Sequence, residues 1–118
     1  MYDAEEKQRL IKKELNKIKK IYSNMDENVK KNVEKIAENA AWMAVSLEEL
    51  RAQIDEEGYE EVYTNGANQC GKKDSVAVKN YNVMIKNYNA TIKLLLDRLP
   101  DQPQAQTGDA LAQFLLKK

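Results

Sequence analysis

The residues with the most obvious capacity for chemistry lie in the stretch NGANQCGKK, residues 65–73. Gly66, Gly71 and Lys72 form the pattern G-x-x-x-x-G-K. In P-loop NTPases this pattern places backbone amides and a lysine ammonium around nucleotide phosphates. The stretch therefore raises the hypothesis of a nucleotide-binding site.

The residues that follow the pattern argue against that hypothesis. Lys73 stands where a P-loop needs a Ser or Thr hydroxyl to bind magnesium. Asp74 would place a negative charge where phosphate should lie, at the start of the next helix. A P-loop also follows a buried parallel strand, and the preceding GYEEVYT is too acidic for the centre of a sheet. We favour a tight turn whose glycines occupy turn positions.

The composition of the 118-residue chain excludes several other kinds of chemistry. Histidine is absent and Cys70 is the single cysteine, so Ser-His-Asp and Cys-His catalytic groups and His/Cys zinc sites lack their members. A lone thiol forms no internal disulfide, which favours a reducing cytoplasm. No apolar run is long enough for a transmembrane helix. We expect a protein that is not an enzyme, with no catalytic residues, no cofactor and no metal.

Three long stretches have the apolar spacing of amphipathic helices. The spacing predicts helix 1 over residues 4–22, helix 2 over 25–56 and helix 3 over 75–98. The expected N-terminal capping residues are Asp3 (with Glu6) for helix 1, Ser23 or Asn24 for helix 2, and Asp74 or Ser75 for helix 3. Gly58 should end helix 2.

A small β-hairpin is expected between helices 2 and 3, over about residues 59–70. Val62, Tyr63 and Thr64 favour a strand, and Asn65-Gly66 is typical of a two-residue type I′ turn. The predicted fold is therefore mainly α: a long antiparallel helical hairpin interrupted by a β-hairpin, with a basic helix in front. We expect one domain over residues 1–100, for oligomerisation and DNA binding, followed by a linker and short amphipathic tail over 101–118.

Helix 1 is strongly basic. Residues 7–20 carry seven basic residues against Glu14, a net +6. Five of the lysines lie away from the apolar stripe of Ile11, Leu15, Ile18 and Tyr22: Lys12, Lys13, Lys17, Lys19 and Lys20. Such a helix can pack by one face and present ammonium groups to DNA phosphates with the other. The alternatives are an ordinary solvated face or, less favoured, a membrane-surface helix. The predicted DNA-binding residues are Arg9, Lys12, Lys13, Lys17, Lys19, Lys20, Lys72 and Lys73.

A second interpretation applies to Lys72 and Lys73, which can form ion pairs within the protein. Residues 38–61 carry eight acidic residues against Arg51, a net −7. Lys72 and Lys73 can pair with this acidic run, and we favour that pairing over DNA contact.

The middle of helix 2, AENAAWMAV, is apolar on nearly all sides and so should be buried on several sides. We favour a second subunit as the cover, and the alternative is that helix 1 and the tail cover it. The predicted oligomer interface comprises Ala37, Ala41, Trp42, Ala44 and Val45. In the tail, Leu111, Phe114 and Leu115 can share one face and bind a partner.

The stretch YTNGANQCGKKDSVAVKNYNVMIKNYNATIKLLLDRLP, residues 63–100, resembles the small subunit of tailed-phage terminases. The matching features are the Asn65-Gly66 turn, the second glycine and following lysines, a helix ending in Leu-Pro, and the preceding LEELRAQIDEEG helix. The resemblance covers roughly residues 10–100. Family members often begin the last helix with Ser-Pro, whereas this chain has Ser75-Val76.

The resemblance implies a non-catalytic component of viral genome packaging. Such a protein binds double-stranded viral DNA, assembles into a homo-oligomeric ring and regulates the large terminase subunit, which supplies the ATPase and nuclease. It implies work in the host cytoplasm during virion assembly, and no membrane. The alternative from the residues alone is a self-assembling coiled-coil adaptor that binds only protein. A small NTPase is the third possibility.

Overall fold

A long central helix organises the chain. The structure, a computed structural model, describes residues 1–64, 66 and 70–99. In these residues the elements are α1 (Ala4–Ile21), α2 (Glu27–Glu57), β1 (Glu60–Thr64), β2 (Cys70–Asp74) and α3 (Val76–Asp97). The mainly helical fold with a β-hairpin between the second and third helices is confirmed, and the predicted tail over 101–118 lies outside the described residues.

Side-chain caps determine where each helix begins. Asp3 accepts a hydrogen bond from the backbone N–H of Glu6 at 2.7 Å, as the sequence predicts for α1. Ser75 accepts from Val78 at 3.1 Å and starts α3. The prediction for α2 was wrong, because Asp26 and not Ser23 or Asn24 is its cap, accepting from Val29 at 2.9 Å.

Helix α2 ends at Gly58, as predicted. Its φ of 85° lies in the left-handed region that favours glycine, and its N–H donates to the carbonyl of Ile54 at 2.7 Å.

Helix α2 packs against both α1 and α3. Small side chains on α2 allow this close approach, and Ala37, Ala40 and Ala41 have no solvent exposure. Large side chains from the neighbouring helices fill the space between them, with Ile18 on α1 and Leu95 on α3 fully buried. Burial of this apolar surface is the main stabilising contribution to the bundle.

Helices α1 and α2 run antiparallel. At one end the backbone N–H of Tyr2 donates to the Glu49 carboxylate at 3.2 Å. At the other end the Tyr22 hydroxyl lies in the field of the Glu34 and Glu38 carboxylates. The C-terminal half of α1 therefore lies beside the start of α2.

The β-hairpin differs from its prediction in length and register. Glu60 pairs with Asp74 and Thr64 pairs with Cys70, so five residues connect the strands where a two-residue turn was expected. Gly66 has a positive φ of 91°, as a turn glycine would, but residues 65 and 67–69 lie outside the described part. The strand pairing extends to Asp74 because the N–H of Ser75 donates to the carbonyl of Tyr59 at 2.9 Å.

Gly71 lies inside β2 and not at the turn position that was expected for the glycines of this stretch. It pairs with Tyr63, and a Cβ atom at Gly71 would lie 3.1 Å from the Tyr63 hydroxyl oxygen. The aromatic ring therefore covers the glycine backbone across the two strands. Lys72 lies in the same strand, and the helix begins only at Val76, so the G-x-x-x-x-G-K pattern does not form a loop that leads directly into a helix.

Candidate nucleic-acid interface

The two faces of α1 are sharply separated. Ile18 and Tyr22 are buried against the rest of the chain, and Ile11 and Leu15 pack on the same core. The opposite face is exposed and carries five cationic side chains: Arg9, Lys12, Lys13, Lys19 and Lys20. These residues span ~16 Å at 1.5 Å per residue, which presents a row of cations on one rigid element.

On α1, acidic residues approach this row only at its N-terminal end. Glu5 and Glu6 are in the first turn of α1, where they suit the positive end of the helix dipole. Arg9 lies 4.0 Å from Glu6, with both side chains well exposed, so this ion pair contributes little. Lys19 and Lys20 occupy the last turn. We name the row of Arg9, Lys12, Lys13, Lys19 and Lys20 the basic face.

Lys17 was predicted as part of the same site, but it lies at its border. Its ammonium is 3.1 Å from the Glu14 carboxylate, and its side chain is 29% exposed. The Glu14 carboxylate offsets part of the positive potential of Lys17, so a phosphate gains less from contact with Lys17 than with Lys12 or Lys13.

Lys72 and Lys73 lie on β2 and are not brought together with the basic face. Lys73 pairs with Glu61 across the hairpin at 3.4 Å, and its ammonium lies 5.8 Å from the centre of the Tyr63 ring. Lys72 is exposed opposite Val62. The hairpin follows the C-terminal end of α2, whereas Lys19 and Lys20 lie near its N-terminal end. The structure therefore places the hairpin lysines towards the opposite end of α2 from Lys19 and Lys20.

Most residues of the predicted oligomer interface are buried by packing within one chain. Ala37 and Ala41 are fully buried, and Ala44 and Val45 are 8% and 1% exposed. Their burial needs no second subunit, because the chain's own helices cover them. Trp42 is the exception, since 48% of its surface remains exposed. Of the five predicted interface residues, only Trp42 therefore keeps enough exposed surface to contact a second subunit.

Sequence reasoning missed a polar cluster beside Trp42. The Lys7 ammonium lies 2.8 Å from the Glu49 carboxylate and 5.0 Å from the centre of the Trp42 ring. The Tyr2 hydroxyl donates to Glu48 at 3.3 Å. The sequence does contain a signal for this contact. Lys7 precedes Ile11 by four residues and so lies on the packed side of α1.

Burial perturbs several tyrosine hydroxyls. Burial, followed by the nearby Glu48 carboxylate, raises the pKa of Tyr2. Burial also raises the pKa of Tyr22, with a smaller contribution from Glu34, and raises that of Tyr88, with Glu14 contributing. These hydroxyls stay protonated at neutral pH, so they add no charge near the basic face.

Other kinds of site are not found in the described part of the chain. Residues 1–64, 66 and 70–99 contain no group of three or more Asp, Glu or Cys placed to hold a metal ion. Within the same residues, every helix is too short or too polar to cross a bilayer.

Comparison of the chain with protein-family models, with characterised proteins and with solved structures finds no match. The similarity to terminase small subunits therefore stays a prediction.

Proposed function

We propose that this chain is a non-catalytic small subunit of a viral terminase, which binds double-stranded viral DNA and regulates the large subunit. The observation that carries the proposal is the basic face of α1. Lys12, Lys13, Lys19 and Lys20 are exposed on one side of a helix whose other side is fixed in the core.

The physical basis of binding is neutralisation of phosphate charge. A lysine that approaches a phosphate releases condensed counterions from the duplex, and this gain is independent of sequence. Because α1 is anchored by Ile18 and Tyr22, the lysines are presented without unfolding or rearranging the bundle. The proposed contacts are to the backbone, so they position the protein and do not read bases.

Assembly into a ring is the second part of the proposal. Trp42 is a large aromatic side chain left half exposed beside a cluster of charged groups, and tryptophan is enriched at the energetic centres of interfaces. A ring requires two different patches that meet head to tail, so Trp42 would contact a different surface of the next subunit. The amphipathic tail with Leu111, Phe114 and Leu115 is the proposed contact for the large subunit.

The DNA-binding part is tested with a fluorescent duplex and anisotropy at low salt. Replacement of Lys12, Lys13, Lys19 and Lys20 by Glu should abolish binding, because the face would then repel phosphate. A control with Lys35, Lys79, Lys86 and Lys93 replaced by Glu has the same net charge and should retain binding. Absence of binding by the natural chain, or equal loss in both variants, would refute the assignment to α1.

Assembly is tested separately by native mass spectrometry. Trp42→Asp should lower the oligomer mass while circular dichroism shows unchanged helix content. A natural chain that is monomeric at tens of micromolar would refute the ring. The regulatory role predicts that a large terminase gene lies beside the gene for this chain, and that adding the chain changes the ATPase rate of that subunit. Oligomers with no DNA affinity would instead support the adaptor function.

A further inference from the structure

The exposed side of α3 carries an unpartnered aliphatic stripe. Val76, Val83 and Ala90 recur every seven residues, and Leu94 follows four residues later. Val76 is 56% exposed, Val83 62% and Leu94 43%, although the same helix buries Tyr88 and Leu95 on its other side. Aliphatic residues at this spacing form the contact line of a helix that packs along another helix. The stripe is ~27 Å long at 1.5 Å per residue.

Lysines follow one edge of this stripe. Lys79, Lys86 and Lys93 each lie three residues after a stripe residue, and all three are exposed. The sequence from Val76 to Leu96 contains no acidic residue, and none of the three lysines has an ion pair with a described residue. The edge is therefore a row of positive charge beside an apolar line.

The opposite edge is uncharged along most of its length. Asn80 and Asn87 each lie four residues after a stripe valine and are exposed. Asparagine within a helix–helix seam favours partners that offer a hydrogen-bonding group at the same level. The stripe thus combines aliphatic contact, polar register positions and one cationic edge.

We propose that this surface of α3 binds an amphipathic helix of another protein, with aliphatic residues along its contact line and acidic residues along its flank. The aliphatic line would be buried against Val76, Val83, Ala90 and Leu94, and the acidic flank would lie against Lys79, Lys86 and Lys93. Charge complementarity of this kind selects among partners and fixes their register. The proposal does not depend on DNA binding by α1.

A second copy of this chain is a poor occupant. If two α3 helices packed in parallel, the lysine edge of one would face the Asn80 and Asn87 edge of the other, which offers no acidic group. If they packed antiparallel, the lysine edges would face each other and repel. Helix α2 carries many acidic residues, but its one large apolar side chain that is exposed is Trp42, so it lacks a matching stripe. DNA is also a poor occupant, since phosphates gain nothing from contact with exposed valines.

The probe is a synthetic fluorescent peptide of about 21 residues, three heptads with leucine seams and glutamate flanks. A matched peptide has lysine at every flanking position. The natural chain should bind the glutamate peptide and not the lysine peptide in an anisotropy titration. Val83→Asp should weaken binding about tenfold or more, because burial of a valine is lost and a charge is introduced. Val62→Asp, the same substitution at an exposed position of the hairpin, should leave it unchanged.

Charge reversal gives the sharper result. We expect charge reversal to exchange the two affinities. Binding of the glutamate peptide should be lost, and binding of the lysine peptide gained, in the triple variant Lys79→Glu, Lys86→Glu and Lys93→Glu. This exchange does not follow from misfolding, and circular dichroism verifies helix content. Failure of the natural chain to bind the glutamate peptide better than the lysine peptide overturns the proposal. So does an oligomer that Val83→Asp converts to monomer, which would identify a second copy as the occupant. If the natural chain binds neither peptide and the triple variant no longer binds duplex DNA, the occupant of this surface is nucleic acid and the proposal is wrong.

Discussion

The most informative prediction concerns the salt dependence of DNA binding by the basic face. Lys12, Lys13, Lys19 and Lys20 are changed to Gln, which removes four charges while keeping long side chains with good helix propensity. Ile18 and Tyr22 still hold α1 on the bundle, so the helix stays folded. The variant therefore isolates the electrostatic contribution of one face.

The magnitude follows from the number of cations that can reach phosphates. Five contacts per bound subunit give a slope of log affinity against log salt of about −4.5, since each contact contributes about −0.9 on duplex DNA. Affinity of the natural chain should then fall about 500-fold between about 50 and 200 mM salt. With Arg9 alone remaining, the slope should be about −0.9 and the loss about threefold to fourfold. In an oligomer both slopes scale with the number of subunits engaged, so their ratio of about five is the robust quantity.

The assay is anisotropy of a labelled duplex over a series of salt concentrations. A control variant with Lys35, Lys79, Lys86 and Lys93 changed to Gln has the same net charge and should keep the natural slope. Equal slopes for the two variants would show that diffuse charge, and not the basic face, drives binding. A natural chain with a slope near zero would contradict the phosphate-contact reasoning altogether.

Three further predictions concern stability. Leu95→Ala should lower the free energy of unfolding by about 2–5 kcal/mol, because it opens a cavity in the core. Leu94→Ala, at a half-exposed neighbouring position, should lower it by less than about 1 kcal/mol. Urea unfolding measures both values. Tyr22→Phe should raise the free energy of unfolding by about 1 kcal/mol, because the buried hydroxyl has no hydrogen-bond partner among the described residues, and a loss of stability would show that the hydroxyl is satisfied. Burial raises the pKa of Tyr22 above 10.0 in the folded chain, so ionisation of this hydroxyl leaves stability unchanged below that pH and lowers it as pH rises above it. The Phe variant has no hydroxyl to ionise and should show a shallower decline in melting temperature at alkaline pH. Lys7→Ala should cost about 1–3 kcal/mol by leaving Glu49 buried without its cation and should shift the emission of the single tryptophan, and adding Glu49→Leu should recover part of the loss.

The helices were predictable because their signals are local. The apolar spacing of each helix reflects one buried side and one solvent-exposed side. Helices also begin and end through contacts within a few positions, and Asp3, Ser75 and Gly58 are residue types that make such contacts. The separation of lysines from the apolar stripe of α1 is likewise a property of helical geometry. Hence the exposed face with Lys12, Lys13, Lys19 and Lys20 could be predicted before any packing was known.

Three features could not be derived from spacing alone. The hairpin register depends on the strand pairing that places Gly71 against Tyr63, and the Asn65-Gly66 signal indicated a turn but not its length. Pairing of Lys73 with the acidic run was expected, but its partner within that run, Glu61, follows from the strand register that places the two residues opposite each other. Lys7 was counted only in the basic charge of helix 1, but it lies in the contact between α1 and α2 and pairs with Glu49.

Three helices, a mainly α fold and a cationic face follow from residue periodicity and from charge along a single helix. What covers each apolar surface depends on packing between the helices. The alanines of α2 could have met a second subunit or the chain's own helices, and packing of α1 and α3 buried Ala37 and Ala41 while leaving Trp42 half exposed. It also left Val83 and its stripe uncovered on α3. Burial depends on contacts between elements distant in sequence, which a helical period cannot specify.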